Sequence, residues 1–361
     1  MTLANAVLAV IWFGVIAYAV FGGADFGAGI WDLLAGNPDK GERPRALLER
    51  SIGPVWEANH VWLIFVLVYL WTAFPEAFVS IMTTLYIPMM LAGIGIVLRG
   101  SSFAFRKWAA QLRYRRMFGI GFAAASLMTP FFLGTVAGGV ASGRVPIGNA
   151  AGDAWTSWIN PTSMLGGTLA VVVAAYVAAV LTARDAARSD EPDLASYFRT
   201  RALVSGVVAG MVAFAGIFVI RSDAPVLFSG LTDTYGGAVV LLSGVAGATS
   251  LVAIYLRKRQ LSRIAAVVAT VAILWGWAIG QYPWLLPDVL TIEQGAATDA
   301  VLVALLVAFV GAALLAVPSL IWLYTLTDSG ALDTARPIRS DTSDALLQDL
   351  VAAGNETNLD D

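Results

Sequence analysis

The chain is dominated by long apolar stretches, which are separated by short polar segments rich in Lys and Arg. A helix that crosses a membrane needs about 20 mainly apolar residues, because each residue advances about 1.5 Å through a hydrocarbon layer about 30 Å thick. Nine stretches meet this requirement, at residues 5–31, 52–74, 77–98, 117–138, 161–183, 202–220, 234–256, 264–282 and 300–327. The pattern therefore predicts an all-α membrane protein with nine transmembrane helices.

The basic residues give an independent prediction of topology. Twenty of the 22 Lys and Arg residues follow the first, third, fifth, seventh or ninth stretch, and only Arg144 and Arg221 lie in the other loops. Basic residues concentrate in cytoplasmic loops. We therefore expect the N-terminus outside the cell and the C-terminus in the cytoplasm. Residues 1–327 form the predicted transmembrane domain, and residues 328–361 form an acidic cytoplasmic tail that we expect to be disordered.

Composition narrows the class of protein and of site. Apolar residues make up 58% of the chain and charged residues 13%, whereas soluble domains carry about 25% charged residues. The absence of cysteine excludes disulfides, iron–sulfur clusters and covalently attached haem. His60 is the one histidine, so a site with two imidazoles cannot form from this chain alone. The net charge of −3 argues against a nucleic-acid partner.

Ionisable residues inside apolar stretches point to function, since each costs roughly 2.5–3.5 kcal/mol on insertion scales. The first stretch carries Asp25 within a glycine-rich segment, and the second carries Glu57, Asn59 and His60. Asp25 lies seven residues before Asp32, and Glu57 lies seven residues after Arg50, at the cytoplasmic ends of the two stretches. Seven residues are about 10 Å of helix. We therefore expect both carboxylates at a similar depth in the cytoplasmic half of the membrane.

Two interpretations of these acids remain open from the residue types alone. They could form a proton entry site open to the cytoplasm, because intramembrane carboxylates with room for water suit a proton relay. They could instead hold the helices together, with Arg99 as a charge partner. His60 lies at i+3 from Glu57 and can share its face, but as a haem ligand it has no second imidazole opposite it.

Two motifs carry a resemblance to a known family. Residues 23–29 read Gly-Ala-Asp-Phe-Gly-Ala-Gly, and residues 52–64 read Ile-Gly-Pro-Val-Trp-Glu-Ala-Asn-His-Val-Trp-Leu-Ile. They resemble the GFDxGxG and P-x-W-[DE]-x-N-x-V-W-L patterns of subunit II of the cytochrome bd quinol oxidase family. Matching motifs are dense over residues 14–107, and the rest of the chain matches mainly in the number and spacing of its helices.

The resemblance implies a nine-helix subunit that forms a heterodimer with a haem-bearing subunit I in a bacterial or archaeal cell membrane. That partner is expected to hold haems b and d and the quinol site and to reduce O₂ to water, while this chain carries no cofactor of its own. Small accessory subunits are compatible with this assembly. Carried over by position, Asp25, Glu57, Asn59 and His60 would belong to a cytoplasmic proton path, and Trp56 would contact a bound quinone.

The chain departs from the family pattern at three positions. Glu57 stands where many members have Asp, and Gly22 and Ala104 stand where many have an acid. A relay through those additional acids cannot operate here in the same form.

The alternative class is a proton-coupled secondary transporter, which would show inverted repeats and broken helices near the midplane. A scaffold that only completes a complex is the third alternative, and it would make both acids dispensable.

Overall fold

A computed structural model of the chain describes residues 2–36, 38–52, 56–108 and 112–328. Within these residues the backbone forms fourteen α-helices and one short β-hairpin. The helices are α1 (Leu3–Ala17), α2 (Gly23–Leu33), α3 (Pro38–Ile52), α4 (Trp56–Ala73), α5 (Pro75–Thr84), α6 (Tyr86–Trp108), α7 (Leu112–Ala141), α8 (Pro161–Arg188), α9 (Pro192–Asp223), α10 (Pro225–Thr232), α11 (Thr234–Tyr255), α12 (Arg259–Gln281), α13 (Ile292–Gly295) and α14 (Asp299–Asp328). The strands are β1 (Trp284–Leu286) and β2 (Leu290–Thr291), and they pair antiparallel.

The predicted all-α membrane fold is confirmed. Within the described chain, eight helical stretches are long and apolar enough to cross a membrane. They are Leu3–Leu33, Tyr86–Phe105, Met117–Ala141, Pro161–Arg188, Pro192–Asp223, Thr234–Tyr255, Arg259–Gln281 and Asp299–Leu323. The second predicted stretch corresponds to α4, whose described apolar part, Asn59–Ala73, is shorter than a full span. The count of nine and the orientation therefore stay predictions.

The third predicted stretch is broken into α5 and α6. Leu85, between them, has φ −100° and ψ 28°, outside the helical range. Pro88 lacks the N–H that would bond the carbonyl of Thr84 in a continuous helix, so the hydrogen-bond ladder is interrupted at this point. Pro88 thus permits the helix to break at Leu85, three residues before it.

Arg99 occupies a different position from the one that the sequence suggests. The prediction placed it at the end of the third stretch, at the start of a basic loop, and this is wrong. Helix α6 continues to Trp108, and Arg99 is only 1% exposed. The arginine can be buried because α2 and α7 supply hydrogen-bond acceptors for its guanidinium.

The segment after the first span is a helix rather than a loop. Leu47 and Leu48 of α3 are buried, and the Nε atom of Arg45 lies 3.1 Å from a carboxylate oxygen of Asp32 in α2. Arg43 pairs with Glu191 in the turn between α8 and α9 at 3.1 Å. We call this end of the helix bundle the α3 end, and the predicted topology assigns it to the cytoplasm.

The opposite end, which we call the hairpin end, holds β1 and β2. Asp223, at the end of α9, stabilises the loops at the hairpin end. The carboxylate of Asp223 forms a two-contact ion pair with Arg144, at 2.5 and 3.2 Å. It also accepts hydrogen bonds from the backbone N–H and the hydroxyl of Thr162, at 2.9 and 2.6 Å. Asp223 therefore ties the α7–α8 loop to the first turn of α8.

Three apolar cores form among the described residues, and the two larger ones lie along the bundle. One packs Trp31, Tyr176 and Phe198 near the α3 end, and the other packs Phe74 and Leu286 near the hairpin end.

The chain divides into two compact units, Met1–Phe309 and Val310–Asp361, and the candidate sites lie in the first. The predicted acidic tail lies beyond the described residues apart from Asp328, so its disorder stays a prediction.

Candidate functional site

The first two predicted spans meet at a buried pair of polar side chains. Asp25, in the first turn of α2, and Asn59, in α4, are each 3% exposed. The Asn59 Nδ2 atom donates to the Asp25 Oδ2 atom at 2.5 Å and lies 3.4 Å from the carbonyl oxygen of Phe21. A buried carboxylate is stabilised by hydrogen-bond donors in its surroundings. The structure therefore brings one acid and the amide of the two predicted motifs into direct contact.

A π-helical segment, Tyr18–Gly22, lies directly before Asp25. A π-helical turn includes one residue more than an α-helical turn, and such segments are frequent at functional sites. The segment shifts the register between α1 and α2, so Phe21 directs its carbonyl toward Asn59. The apolar pattern of the first stretch contains no signal for this irregularity.

Arg99 binds the backbone of the acid rather than its carboxylate. Its Nη2 atom donates to the carbonyl oxygen of Asp25 at 2.8 Å, and its Nε atom lies 3.3 Å from the hydroxyl of Ser126 in α7. Among the described residues no ion pair joins the guanidinium to the Asp25 side chain, and the Nη1 atom has no hydrogen-bond partner. Arg99, the predicted charge partner, therefore lies next to Asp25, but the side chain that donates to the Asp25 carboxylate is Asn59.

Two aromatic rings flank the guanidinium. The Arg99 Cζ atom lies 5.0 Å from the ring centre of Phe26 and 4.9 Å from that of Phe122. The negative faces of aromatic rings attract a cation, and this attraction is stronger away from water. The rings therefore supply part of the stabilisation that Arg99 loses when it is removed from solvent.

The glycines of the first motif allow close helix packing. A Cβ atom on Gly27 would overlap the backbone of Ala174 in α8, and one on Gly29 would overlap Ser126 in α7. Gly23 differs, because a Cβ atom there would meet nothing within 4 Å. Close helix packing is thus found at Gly27 and Gly29, on the side of α2 that contacts α7 and α8.

His60 faces aromatic side chains of the first span. Its Nδ1 atom lies 3.4 Å from the hydroxyl of Tyr18, and its ring centre lies 5.8 Å from that of Phe26. Neither Tyr18 nor Ser126 was predicted as a site residue. Tyr18 lies seven residues before Asp25, which is two helical turns, and this spacing was the available signal for it. Ser126 is adjacent only because α7 packs against α2.

Glu57 and Trp56 are the two predicted site residues whose side chains lie outside the described part of the structure. Their backbone belongs to the first turn of α4, two and three residues before Asn59. Within the described residues, no group of three or more His, Asp or Glu side chains is arranged to hold a metal ion. The described site is therefore a carboxylate–amide pair beside a buried guanidinium.

Comparison with known proteins relates the chain to a protein family and to a solved structure. The model of the family described as cytochrome bd terminal oxidase subunit II matches residues 3–327. A chain in the structure of bd oxidase from Geobacillus thermodenitrificans is similar over 90% of this chain and 98% of that chain. The TM-score of this match is 0.70, with 25% sequence identity.

Curated relatives show the same similarity over shorter lengths. A Bacillus subtilis protein, provisionally named as cytochrome bd menaquinol oxidase subunit II, is 26% identical over 63% of this chain and 65% of its own length. The cytochrome bd-I ubiquinol oxidase subunit 2 of Escherichia coli K12 is 29% identical over 36% of this chain and 33% of its own length. The chain thus matches less than two thirds of the length of these relatives. Because the family model covers nearly the whole sequence, the chain belongs to the cytochrome bd terminal oxidase subunit II family.

Proposed function

We propose that the chain is the haem-free subunit II of a cytochrome bd-type quinol oxidase in the cytoplasmic membrane of its cell. It pairs with a haem-bearing subunit I, which passes electrons from membrane quinol to O₂ and forms water. Family membership and the names of the relatives support this assignment. The sequence also supports it, since one histidine and no cysteine provide few ligands for a redox centre.

Within that complex, we propose that this chain contributes a proton path from the cytoplasm. The observation that carries the proposal is the burial of the Asp25 carboxylate, with the Asn59 amide as its hydrogen-bond donor. A carboxylate in this position can accept a proton and release it again, whereas a merely structural hydrogen bond needs no titratable group. Intramembrane acids are costly, and they commonly mark proton relays.

The buried guanidinium of Arg99 supports the same role. It lies beside Asp25 without binding the carboxylate, so it balances the negative charge of the ionised acid and leaves both carboxylate oxygens open to other donors. A direct ion pair would hold the carboxylate in its ionised form more firmly. Asp25 is thus stabilised when it is charged, yet it remains able to take up a proton.

Three further residues extend the proposal. Glu57 lies two residues before Asn59 in the first turn of α4, nearer the α3 end than Asn59. The Nδ1 atom of His60 in α4 lies 3.4 Å from the hydroxyl of Tyr18 in the π-helical segment, and the two groups could pass a proton between them. A quinone contact at Trp56 rests on the family resemblance alone.

The test is O₂ consumption by the purified complex with excess quinol, normalised to haem content. Asp25→Asn and Glu57→Gln keep the shape and polarity of each side chain but cannot titrate. Each should assemble, keep the haem absorbance spectrum and lose activity about a hundredfold or more, because a positioned proton-transfer group contributes about 10²–10⁴-fold to a rate. Glu57→Asp should retain most of the rate.

Glu76→Gln is the matched control, because Glu76 is an exposed acid in the first turn of α5. It should turn over at the wild-type rate. If Asp25→Asn and Glu57→Gln also turn over at the wild-type rate per haem, the proton-path proposal is wrong and the acids are structural. If the purified chain brings down no haem-bearing partner, the assignment to an oxidase complex is wrong as well.

A further inference from the structure

A basic cavity of about 340 Å³ opens at the α3 end, away from the Asp25 site. It lies between the turn that joins α8 to α9 and the turn that joins α11 to α12. Its lining includes four arginines, Arg184, Arg199, Arg257 and Arg259, and one acid, Asp193. The formal charge of these groups is therefore strongly positive.

Arg199 fixes the wall of this cavity. Its Nε atom donates to the carbonyl oxygen of Ile254 at 2.9 Å, and its Nη2 atom donates to that of Tyr255 at 2.6 Å. These hydrogen bonds join α9 to the last turn of α11, where helix carbonyls lack partners within the helix. The cavity is thus held open between two cross-linked helices rather than formed by a loose loop.

Arg257 and Arg259 provide the exposed positive charge. Both side chains are exposed, and neither forms an ion pair with another described residue. Arg257 has φ +59°, a left-handed conformation that glycine adopts far more easily than arginine. This conformation closes the end of α11, because the backbone N–H of Lys258 donates to the carbonyl oxygen of Ala253 at 2.8 Å and that of Arg257 donates to the carbonyl oxygen of Ile254 at 3.2 Å.

Two helix N-termini add to the positive potential. The cavity is lined by Asp193 in the first turn of α9 and by Arg259 at the start of α12. The N-cap residues of these helices, Glu191 and Lys258, make no side-chain capping hydrogen bond. Helix N-termini attract anions through their unpaired N–H groups and the helix dipole.

The floor of the cavity is apolar. Val180 and Ala183 of α8, Ala195 and Ala202 of α9, and Ala253 and Ile254 of α11 line it beneath the arginines. This combination of a basic rim and an apolar floor lies at the ends of helices that are long enough to cross a membrane. A ligand that fits it has an anionic head joined to an apolar body.

We propose that this cavity binds the phosphate headgroup of an anionic phospholipid from the membrane leaflet at the α3 end. The phosphate oxygens accept hydrogen bonds from Arg257 and Arg259, and the glycerol and first acyl carbons cover the apolar floor. Basic pockets between transmembrane helices bind anionic lipid headgroups in this way. Free phosphate shares the headgroup chemistry, but it would leave the apolar floor unfilled.

The test is native mass spectrometry of the purified complex, titrated separately with phosphatidylglycerol and phosphatidylcholine. The wild-type complex should retain phosphatidylglycerol in preference to phosphatidylcholine. The double variant Arg257→Gln/Arg259→Gln should bind phosphatidylglycerol more weakly, by about fivefold for each charge removed. Arg257→Lys/Arg259→Lys keeps both charges and should retain most of the binding.

Arg50→Gln/Arg263→Gln is the matched control, because it removes the same charge from the α3 end without touching the cavity lining or the N-cap of α12. It should bind phosphatidylglycerol as the wild type does. Equal binding by wild type and Arg257→Gln/Arg259→Gln would overturn the proposal, and so would equal loss in the control. If inorganic phosphate displaces phosphatidylglycerol completely, the site is one for a soluble anion and the lipid assignment is wrong.

Discussion

The side-chain amide of Asn59 donates a hydrogen bond of 2.5 Å to the carboxylate of Asp25, a residue 34 positions earlier in the chain. This bond joins α2 to α4 in the buried interior, and both residues are almost inaccessible to solvent. It connects the two motifs through which the chain resembles its family. The bond therefore contributes to the contact between α2 and α4 and supplies a donor to the buried acid.

Removal of the Asn59 amide should destabilise the complex. Asn59→Ala leaves the buried Asp25 carboxylate without this donor, and a hydrogen bond to a charged group contributes about 2 kcal/mol. We expect a lower midpoint when thermal loss of haem absorbance is followed in the purified complex. Asn5→Ala is the control, since the Asn5 side chain bonds only to the exposed side chains of Thr2 and Glu293, and it should leave the midpoint almost unchanged. Equal midpoints for both variants would show that the Asp25–Asn59 bond carries no stability.

Gly29 should not tolerate a methyl group. Gly29→Ala places a Cβ atom into Ser126, and overpacking of this kind costs about 1–3 kcal/mol. The double variant Gly29→Ala/Ser126→Gly should recover part of that loss, because the overlapping side chain is gone. Gly23→Ala is the control, since nothing lies within 4 Å of its added atom. The measurement is the thermal midpoint of the four complexes, and a Gly29→Ala variant as stable as Gly23→Ala would contradict the packing described here.

Asp153 should make the loop before α8 sensitive to acid. Hydrogen bonds from the Thr156 backbone N–H, the Trp155 backbone N–H and the Thr156 hydroxyl lower the pKa of Asp153 in the folded state. A carboxyl group whose folded pKa is lowered stabilises the fold above its unfolded pKa, and this contribution is lost as the pH falls through the folded pKa. The loop should therefore open more often on acidification.

Hydrogen–deuterium exchange of residues 150–158 measures this effect. At neutral pH, Asp153→Asn should exchange faster than the wild type, because the amide is a weaker acceptor than the carboxylate. The difference in exchange rate between Asp153→Asn and the wild type should narrow as the pH falls, since the wild-type carboxylate then loses its charge. A difference that is constant with pH would argue against a role for the charge of Asp153.

The predicted orientation can be tested by labelling, since the chain has no cysteine to interfere. Ala46, exposed on α3, and Ala151, exposed in the α7–α8 loop, lie at opposite ends of the bundle. In intact cells a cysteine at Ala151 should react with an impermeant thiol reagent, and one at Ala46 should be protected. The reverse pattern would place the α3 end outside the cell and would contradict the positive-inside prediction.

The sequence by itself was sufficient to predict the membrane class, the helical stretches and the residues of the polar motifs. Each of these depends on local properties, because the length of an apolar run decides whether it can cross a hydrocarbon layer. Asp25 and Asn59 could be named for the same reason, since a polar residue inside an apolar run is visible without any knowledge of packing.

The tertiary structure alone decided which side chains meet. Arg99 lies at the end of an apolar run in the sequence, yet α6 continues beyond it and its guanidinium is enclosed by α2, α7 and two aromatic rings. Ser126 joins the site because α7 packs against α2, and the hydroxyl of Tyr18 meets His60 only because the first span packs against α4. The cavity lined by Arg257 and Arg259 likewise forms only where two interhelical turns come together. Apolar run length fixes none of these contacts, because they depend on how each helix is rotated and packed against its neighbours.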